Sequence, residues 1–250
     1  GNISTYARIN YSESTAVDFV YEYKNVASVI RMKRNGDLDQ TYRPANGTGA
    51  ENINDAILDE NGGVIVVGGF LTFDGKQAHS IVRLAADGQV DDSYSAKIGS
   101  GANGSIAMVR YNKHIGKAII VGNFTQFNGQ PRAGMAILNR DGSLDDTFIP
   151  KAMEGGNVNF AAILNNEKVV MSGTFLKYDR ISRPGFLILD KDGASTQRFN
   201  VPGTFTGQLY QVVETKTTTG TNGLLLMGDF SRFNGQKINN VVMLEIDFNN

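Results

Sequence analysis

The sequence contains neither cysteine nor tryptophan, and its 250 residues include two histidines. Without cysteine the chain can form no disulfide, no thiolate metal site and no cysteine nucleophile. The lack of tryptophan argues against a lectin, because lectins commonly stack sugars on large aromatic rings. These absences exclude several classes of covalent and binding chemistry.

Long apolar and charged runs are also missing. No apolar run approaches the roughly 18 residues that a membrane-spanning helix needs. The net charge of −1 gives no long-range field that would attract nucleic acid or an anionic membrane. We therefore expect no nucleic-acid partner and no direct membrane insertion, and the sequence predicts no cofactor and no metal site.

Glycine, in contrast, is abundant, with 29 residues, and it marks the turns of a recurring segment. The clearest copy is residues 118–148, which read AIIVGNFTQFNGQPRAGMAILNRDGSLDDTF. A short apolar run at 118–121 is followed by Asn128-Gly129, the dipeptide that favours tight two-residue hairpins. A second run at 135–138 returns from that turn. The segment therefore predicts a small antiparallel meander.

Each copy carries a Gly-x-Phe signature before its first turn, with phenylalanines at Phe70, Phe124, Phe175 and Phe230. In the three complete copies the interval from this phenylalanine to the glycine of the second turn is constant, from 70 to 88, 124 to 142 and 175 to 193. A constant interval indicates one repeated structural unit. If Gly122 needs a left-handed torsion or touches a neighbouring blade, Gly122→Val is expected to be strongly destabilising.

A further short run precedes each copy, at residues 53–58, 105–109, 158–164 and 209–213. Four strands in about 50 residues are typical of a propeller blade. The predicted fold class is therefore all-β, a five-bladed β-propeller of four-stranded antiparallel repeats in a single domain of residues 1–250. The predicted repeats are 1–44, 45–98, 99–151, 152–202 and 203–250. A linear solenoid is the competing arrangement, but it would expose an edge at each end.

The first and last repeats are irregular, as terminal repeats often are. In the first, Asp18-Phe19 stands for the Gly-x-Phe signature, and the last stops before its outer strand. We expect residues 3–11 to supply that strand by pairing with 241–246; the alternative is that they form the inner strand of the first blade. Four tyrosines near the N-terminus break the repeat and are expected to pack within the closing blade: Tyr6, Tyr11, Tyr21 and Tyr23.

Both halves of the motif, GNFTQFNG at 122–129 and AILNRDGSLDDTF at 136–148, resemble the delta-60 repeat. That repeat defines a β-propeller family of unknown function in bacterial secreted and cell-envelope proteins, including lipoproteins. The resemblance implies an extracytoplasmic location, at the cell surface, in the periplasm or secreted, and it implies no activity. Repeat four departs from the pattern at 192–199. The chain starts at Gly1 rather than at methionine, which predicts a segment processed from a longer precursor.

Few residues point to catalysis. His79 and His114 fall at non-equivalent positions of different repeats, so neither suggests a serine–histidine–carboxylate arrangement. The acids that follow the second turn occupy equivalent positions, as in Val90-Asp91-Asp92 and Leu144-Asp145-Asp146. Recurrence predicts that these carboxylates accept backbone N–H groups in turns. We predict no catalytic residue.

The sequence favours a non-enzymatic extracytoplasmic binding or scaffolding module whose partner is a protein or glycan at the cell surface. Two alternatives stay open: a carbohydrate-active hydrolase or lyase with carboxylates at one mouth of the ring, and a passive spacer in a larger surface protein. Symmetry distinguishes the binding module from the enzyme, because a catalytic site needs acids that are unique to one blade. Candidate ligand-binding residues are non-repeated and near loops: Tyr210, Arg110, Arg180 and His114.

Overall fold

A computed structural model of the chain describes residues 3–43, 48–196, 200 and 203–246. We divide them into units 1 to 5, following the five predicted repeats. Within these residues the protein is built of short antiparallel strands and one helix, and that helix is neither long nor apolar enough to cross a membrane. Unit 1 contains β1 (Thr5–Ile9) and β2 (Tyr21–Asn25).

Units 2 to 5 share one plan. Unit 2 contains β3 (Ile53–Leu58), β4 (Val64–Gly68), β5 (Thr72–Phe73), β6 (Lys76–Gln77), β7 (Ile81–Leu84) and α1 (Asp92–Ile98). Unit 3 contains β8 (Ser105–Asn112), β9 (Lys117–Asn123), β10 (Gln126–Phe127), β11 (Gln130–Pro131) and β12 (Met135–Leu138). Unit 4 contains β13 (Met153–Glu154), β14 (Val158–Ile163), β15 (Val169–Gly173), β16 (Lys177–Tyr178), β17 (Ile181–Ser182) and β18 (Phe186–Leu189). Unit 5 contains β19 (Thr206–Lys216), β20 (Asn222–Phe233), β21 (Gln236–Lys237) and β22 (Val241–Glu245).

Units 2, 3 and 4 each form a three-stranded sheet, in the orders β3-β4-β7, β8-β9-β12 and β14-β15-β18. Unit 5 has the same three strands in the order β19-β20-β22, and β21 also pairs with β20 in that sheet. We call β3, β8, β14 and β19 the inner strands. Each inner strand has a bulge opposite the first glycine of the Gly-x-Phe signature, and the bulged residues are Asn54, Ala107, Asn159 and Tyr210. The bulges and glycines give all four sheets one register.

In units 2, 3 and 4 the predicted fourth strand is reduced to a single bridging pair, Leu84–Val90, Leu138–Leu144 or Leu189–Ser195. The prediction of a full fourth strand is therefore wrong for these three units. After the bridge the chain crosses to the next unit, where the Ile149 N–H donates to the Asp192 carbonyl oxygen at 3.1 Å. In unit 2 this crossing segment is helix α1, whose first turn is capped by the side chain of Asp91.

The sheets stack face to face in chain order, with β3 and β4 against β8, β8 and β9 against β14, and β14 and β15 against β19. Buried aliphatic side chains from neighbouring units fill the spaces between them. Between units 2 and 3 they include Ile65, Ile81 and Ile120. A larger cluster, which includes Ile119 and Phe160, extends across units 3, 4 and 5. This packing brings the inner strands side by side.

The closure that we expected between the two ends of the chain is wrong. Strand β1 pairs with β2 of its own unit, and β22 pairs with β20. The β1–β2 hairpin is fixed to the following turn of unit 1, where Tyr6 Oη donates to the Gly36 carbonyl oxygen at 3.0 Å. Within the described residues, no extensive contact between strands joins unit 5 to unit 1.

Exposed side chains at both ends agree with this open arrangement. Met243 of β22 is 42% exposed, whereas Ile137, its equivalent in unit 3, is 3% exposed. Tyr11 and Tyr23 are 79% and 69% exposed, so the expectation that the N-terminal tyrosines pack in a closing blade is wrong for them. Phe19 is also exposed and does not take the place of the buried Gly-x-Phe phenylalanines.

Candidate functional site

The inner strands of units 2 to 5 surround a cavity of about 480 Å³ at their C-terminal ends, which we call the central cleft. Its apolar lining residues are Ile57, Phe160, Ala162, Ile163, Leu164 and Val212. Its polar lining residues are Arg110, Tyr111, Asn112, Lys113, His114, Asn165, Gln211 and Glu214. The cleft therefore combines an aliphatic and aromatic surface with a polar rim from units 3, 4 and 5.

The common register makes the composition of the cleft informative. Counted from the Gly-x-Phe glycine through the strand pairing, one position is Ile57 in unit 2, Arg110 in unit 3, Ala162 in unit 4 and Val213 in unit 5. Four strands that share a register and a bulge thus place four different side chains at the same height. Packing alone does not require this variety, because the residues that pair with these four on the middle strands are all apolar: Ile65, Ile119, Val170 and Leu225.

Arg110 is the best-fixed polar side chain of the cleft. Its Nη1 donates to Asp55 Oδ2 of unit 2 at 2.7 Å and to the Val109 carbonyl oxygen at 2.8 Å. Asp55 Oδ2 also accepts the Val109 N–H at 3.1 Å. The guanidinium carbon lies 5.9 Å from the centre of the Phe160 ring. Within the described residues, Nε and Nη2 donate to no protein atom, so one edge of this guanidinium is available.

A chain of amide contacts links units 3, 4 and 5 along the rim. Asn112 Nδ2 donates to the Ile163 carbonyl oxygen at 2.9 Å and to Asn165 Oδ1 at 3.1 Å. Asn112 Oδ1 accepts the backbone N–H of His114 at 2.9 Å. The backbone N–H of Asn165 in turn donates to Glu214 Oε2 at 2.9 Å. These contacts hold the loops of three units in fixed positions around the cleft.

Unit 2 joins the rim through Tyr111 and Glu60, whose side chains are hydrogen bonded. Burial raises the pKa of the Tyr111 hydroxyl, and the bond to the Glu60 carboxylate raises it further. Burial also raises the pKa of Glu60, but the Tyr111 bond and the charge of Arg140, 2.8 Å away, outweigh it and lower that pKa overall. Tyr111 is therefore a neutral hydrogen-bond donor at physiological pH.

The four predicted ligand-binding residues fall in different places. Arg110 and His114 both line the central cleft. Arg180 lies in the turn between β16 and β17, which follows the Gly173 end of the sheet, opposite the cleft. Tyr210 is the bulged residue of β19 and is 54% exposed, and it does not line the cleft although its neighbour Gln211 does. The structure thus groups two of the four residues and separates the other two.

Sequence reasoning missed Asp55, Asn112, Asn165 and Glu214. The first and last are acids without acidic equivalents: Met108, Phe160 and Gln211 correspond to Asp55, and Leu58, Tyr111 and Ile163 correspond to Glu214. An alignment of the inner strands on the Gly-x-Phe glycines would have revealed both.

The repeated acids have the structural role that recurrence predicted. Asp91 Oδ1 accepts the backbone N–H groups of Ser93 and Tyr94 at 3.0 and 3.1 Å. Asp145 Oδ1 likewise accepts the Thr147 N–H at 2.9 Å, and its other oxygen binds Lys117 Nζ at 2.9 Å. Each carboxylate is occupied by its own turn, so these acids do not contribute to the central cleft.

Comparison with known proteins confirms the repeat family. Residues 61–94 and 116–148 match the model of a family described as a domain of unknown function (DUF5122) beta-propeller. These segments contain β4 to β7 of unit 2 and β9 to β12 of unit 3, each with the following Leu-Asp-Asp turn or its equivalent. The chain therefore contains β-propeller repeats of this family, and the resemblance of its motif to the delta-60 repeat is confirmed.

One similar solved structure is that of a gluconolactonase from Xanthomonas campestris. It is 16% identical over 80% of this chain, with a TM-score of 0.42, and the present chain spans 61% of its length. At that level of similarity the enzyme says nothing about the activity of this protein. No curated protein sequence matches the chain.

Proposed function

We propose that this protein is a non-enzymatic binding module and that the central cleft is its ligand site. The observation that carries the proposal is the loss of repeat symmetry at the cleft. The inner strands share one register, yet the residues at their C-terminal ends differ in charge, size and hydrogen-bonding groups. Concave sites with an apolar surface and a few placed polar groups are the usual form of small-ligand sites.

The side chains suit a ligand with both an apolar face and polar substituents. Phe160 and Val212 offer contact area, while Arg110, Asn165 and Gln211 offer hydrogen bonds from three different units. Because Arg110 is held by Asp55 and the rim amides hold one another, little side-chain entropy would be lost on binding. We further propose an extracytoplasmic location, which is supported by the family resemblance and can be tested by fractionating cells that express the native gene.

A carbohydrate-active hydrolase or lyase is the second candidate, and one observation favours it. Asp55 and Glu214 are unique acids of units 2 and 5, as a catalytic pair in a repeat protein would be. Against this role, Asp55 Oδ2 is already occupied by Arg110 and the Val109 N–H. If Glu214 were catalytic, the folded protein would release reducing ends from a polysaccharide panel and Glu214→Gln would abolish the release; no release would reject the enzyme.

A ligand screen with two matched arginine variants tests the binding module. A library of mono- and oligosaccharides and short peptides would be screened by saturation-transfer NMR against the wild type, Arg110→Gln and Arg180→Gln. We expect hits that Arg110→Gln weakens and Arg180→Gln leaves unchanged, because Arg180 lies at the opposite end of the sheets. Hits weakened equally by both variants would place the site elsewhere. A complete absence of hits would favour the passive spacer.

We also propose that the five units close into a ring. Supporting this, the outward face of unit 5 is apolar and corresponds to faces that units 2, 3 and 4 bury against their neighbours. Val241 and Met243 lie on that face, and their equivalents Met135 and Ile137 are buried. Met243→Lys tests this proposal, because it would place a charge in the contact that the ring forms on this face.

A further inference from the structure

We infer that the ligand of the central cleft carries a carboxylate group and that Arg110 binds it. This inference rests on the proposed function and adds the chemical class of the ligand. Its basis is an imbalance between hydrogen-bond donors and acceptors in the cleft. Arginine presents donors in a planar fork that matches the two oxygens of a carboxylate.

The hydrogen bonds of Arg110 leave free the guanidinium edge that can bind a carboxylate with two bonds. Asp55 Oδ2 and the Val109 carbonyl oxygen both engage Nη1, at 2.7 and 2.8 Å. The edge formed by Nε and Nη2 has no partner among the described residues, and this edge can donate two parallel bonds to a carboxylate. The guanidinium carbon lies over the Phe160 ring at 5.9 Å from its centre, and the two bonds from Nη1 hold the group in place while that edge is free.

The rest of the rim supplies more donors. Lys113 and His114 follow Asn112 in the β8–β9 turn, and within the described residues their side chains form no hydrogen bond or ion pair. Asn165 uses its Oδ1 to accept from Asn112, which leaves its Nδ2 hydrogens available. Against these, Glu214 is the one carboxylate among the described residues that line the cleft, and one of its oxygens already accepts the Asn165 N–H.

This donor excess selects an oxygen-rich acidic ligand over a cationic one. Glu214 lies on the unit 5 side of the cleft, and its free oxygen can accept a hydroxyl or amide hydrogen of the same ligand. Ile57, Ala162 and Val212 leave room for an apolar face between the two polar sides. A sugar acid and a short peptide with a free C-terminus both have this chemistry, and the experiment distinguishes them.

The test uses two pairs of probes that differ by the carboxylate alone. The first pair is glucuronate and glucose, and the second is acetyl-dialanine and its C-terminal amide. Each is titrated into the isotopically labelled chain at constant ionic strength, and the backbone and side-chain amide signals of Asn165 and Gln211 are followed. We expect saturable shifts at these residues with one or both acids and at least roughly tenfold weaker binding of the matched neutral probe.

Variants then assign the carboxylate to Arg110. We expect Arg110→Gln to weaken binding of the acid roughly tenfold or more while the neutral probe is unaffected, and Arg180→Gln to change neither. Because Arg110→Gln also removes the partner of Asp55, its folding is checked by its amide spectrum, and Arg110→Lys is measured beside it. Lysine keeps the charge but not the fork, so weaker binding of the acid by this variant is also expected.

The outcomes separate this inference from the proposed function. Equal binding of acid and neutral probes in the cleft would overturn the carboxylate and leave the cleft as a binding site. Absence of shifts with either acid would also overturn the inference, and the wider ligand screen would then decide the proposed function. Acid binding that Arg110→Gln and Arg180→Gln reduce equally would show a nonspecific charge effect and would refute the assignment to Arg110.

Discussion

A methyl group added at Gly68 should destabilise the protein, whereas one added at Gly69 should not. A Cβ on Gly68 would overlap the carbonyl oxygen of Asn52 and lie 2.9 Å from a ring carbon of Phe70 and 3.0 Å from Ile53 Cα. A Cβ on Gly69 would meet the Ser105 hydroxyl oxygen at 3.3 Å, a group that can move aside. Neither backbone is in the left-handed region, so the difference is one of space.

The loss of unfolding free energy in Gly68→Ala can be estimated from the groups that the new methyl would displace. The Asn52 carbonyl oxygen accepts the Gly69 N–H at 2.9 Å, so displacing it costs a hydrogen bond of about 1 kcal/mol. Overpacking against the backbone of β3 adds about 1–3 kcal/mol. Alanine loses less backbone entropy than glycine, which offsets about 0.4–1 kcal/mol. We therefore expect Gly68→Ala to lower the free energy of unfolding by about 1–3.5 kcal/mol.

Urea unfolding of Gly68→Ala and Gly69→Ala measures the difference directly. Gly69→Ala should stay within about 1 kcal/mol of the wild type, because an alanine that fits a glycine site gains rather than loses stability. The other units agree, since Asn123, Thr174 and Asp229 occupy the equivalent position. If the two variants differed by less than about 0.5 kcal/mol, the steric explanation of the signature glycine would be refuted.

Two further predictions concern the open face of unit 5 and the acidic turns. If unit 5 packs on unit 1 in the proposed ring, Met243→Lys should be severely destabilising, as Ile137→Lys should be at the buried equivalent; a change in the free energy of unfolding of no more than about 0.5 kcal/mol would contradict the ring and support the open arrangement. Hydrogen bonds from the Thr41 hydroxyl and N–H lower the pKa of Asp39 from 3.8 to about 2. The stability this carboxylate contributes should therefore be complete above its unfolded pKa of roughly 4 and be lost as the pH falls toward 2. An NMR titration of Asp39 should show a midpoint near 2 that rises in Thr41→Val, and an unmoved midpoint would contradict the assigned cause.

Much of the fold followed from the sequence because its determinants are local. Glycine-containing turns and short apolar runs specify the strands of units 2 to 5, and repetition specifies their common register. The signature glycine was correctly marked as special, but for a different reason. Gly122 has no left-handed torsion, and the atoms nearest to a Cβ placed there belong to its own sheet: the Cβ would overlap the Ser105 carbonyl oxygen and lie 2.7 Å from Ile106 Cα.

The outer strand and the ends of the chain could not be predicted in the same way, because they depend on contacts between units. After Leu144 the pattern reads as a further strand, yet Ile149 bonds to the turn of unit 4 instead. In unit 2 the equivalent segment is helix α1. The Asp91 side chain caps its first turn, and Tyr94 of the helix is buried in the core shared with unit 3. Residues 3–11 have strand character, but nothing in that character selects β2 over β22 as the partner.

The central cleft, in contrast, is encoded in the sequence, as the positions of the inner strands at which the aligned repeats differ. The repeated acids stand out in the sequence because they recur, and they recur because each one stabilises the same turn of its repeat. The functional candidates are the positions where recurrence fails while the register persists. Arg110 and Glu214 qualify because β8 and β19 keep the bulge and the paired glycine of their neighbours and change only the side chain. In a repeat protein, the repeated scaffold therefore defines which positions are equivalent, and a candidate binding site is found where equivalent positions carry different side chains.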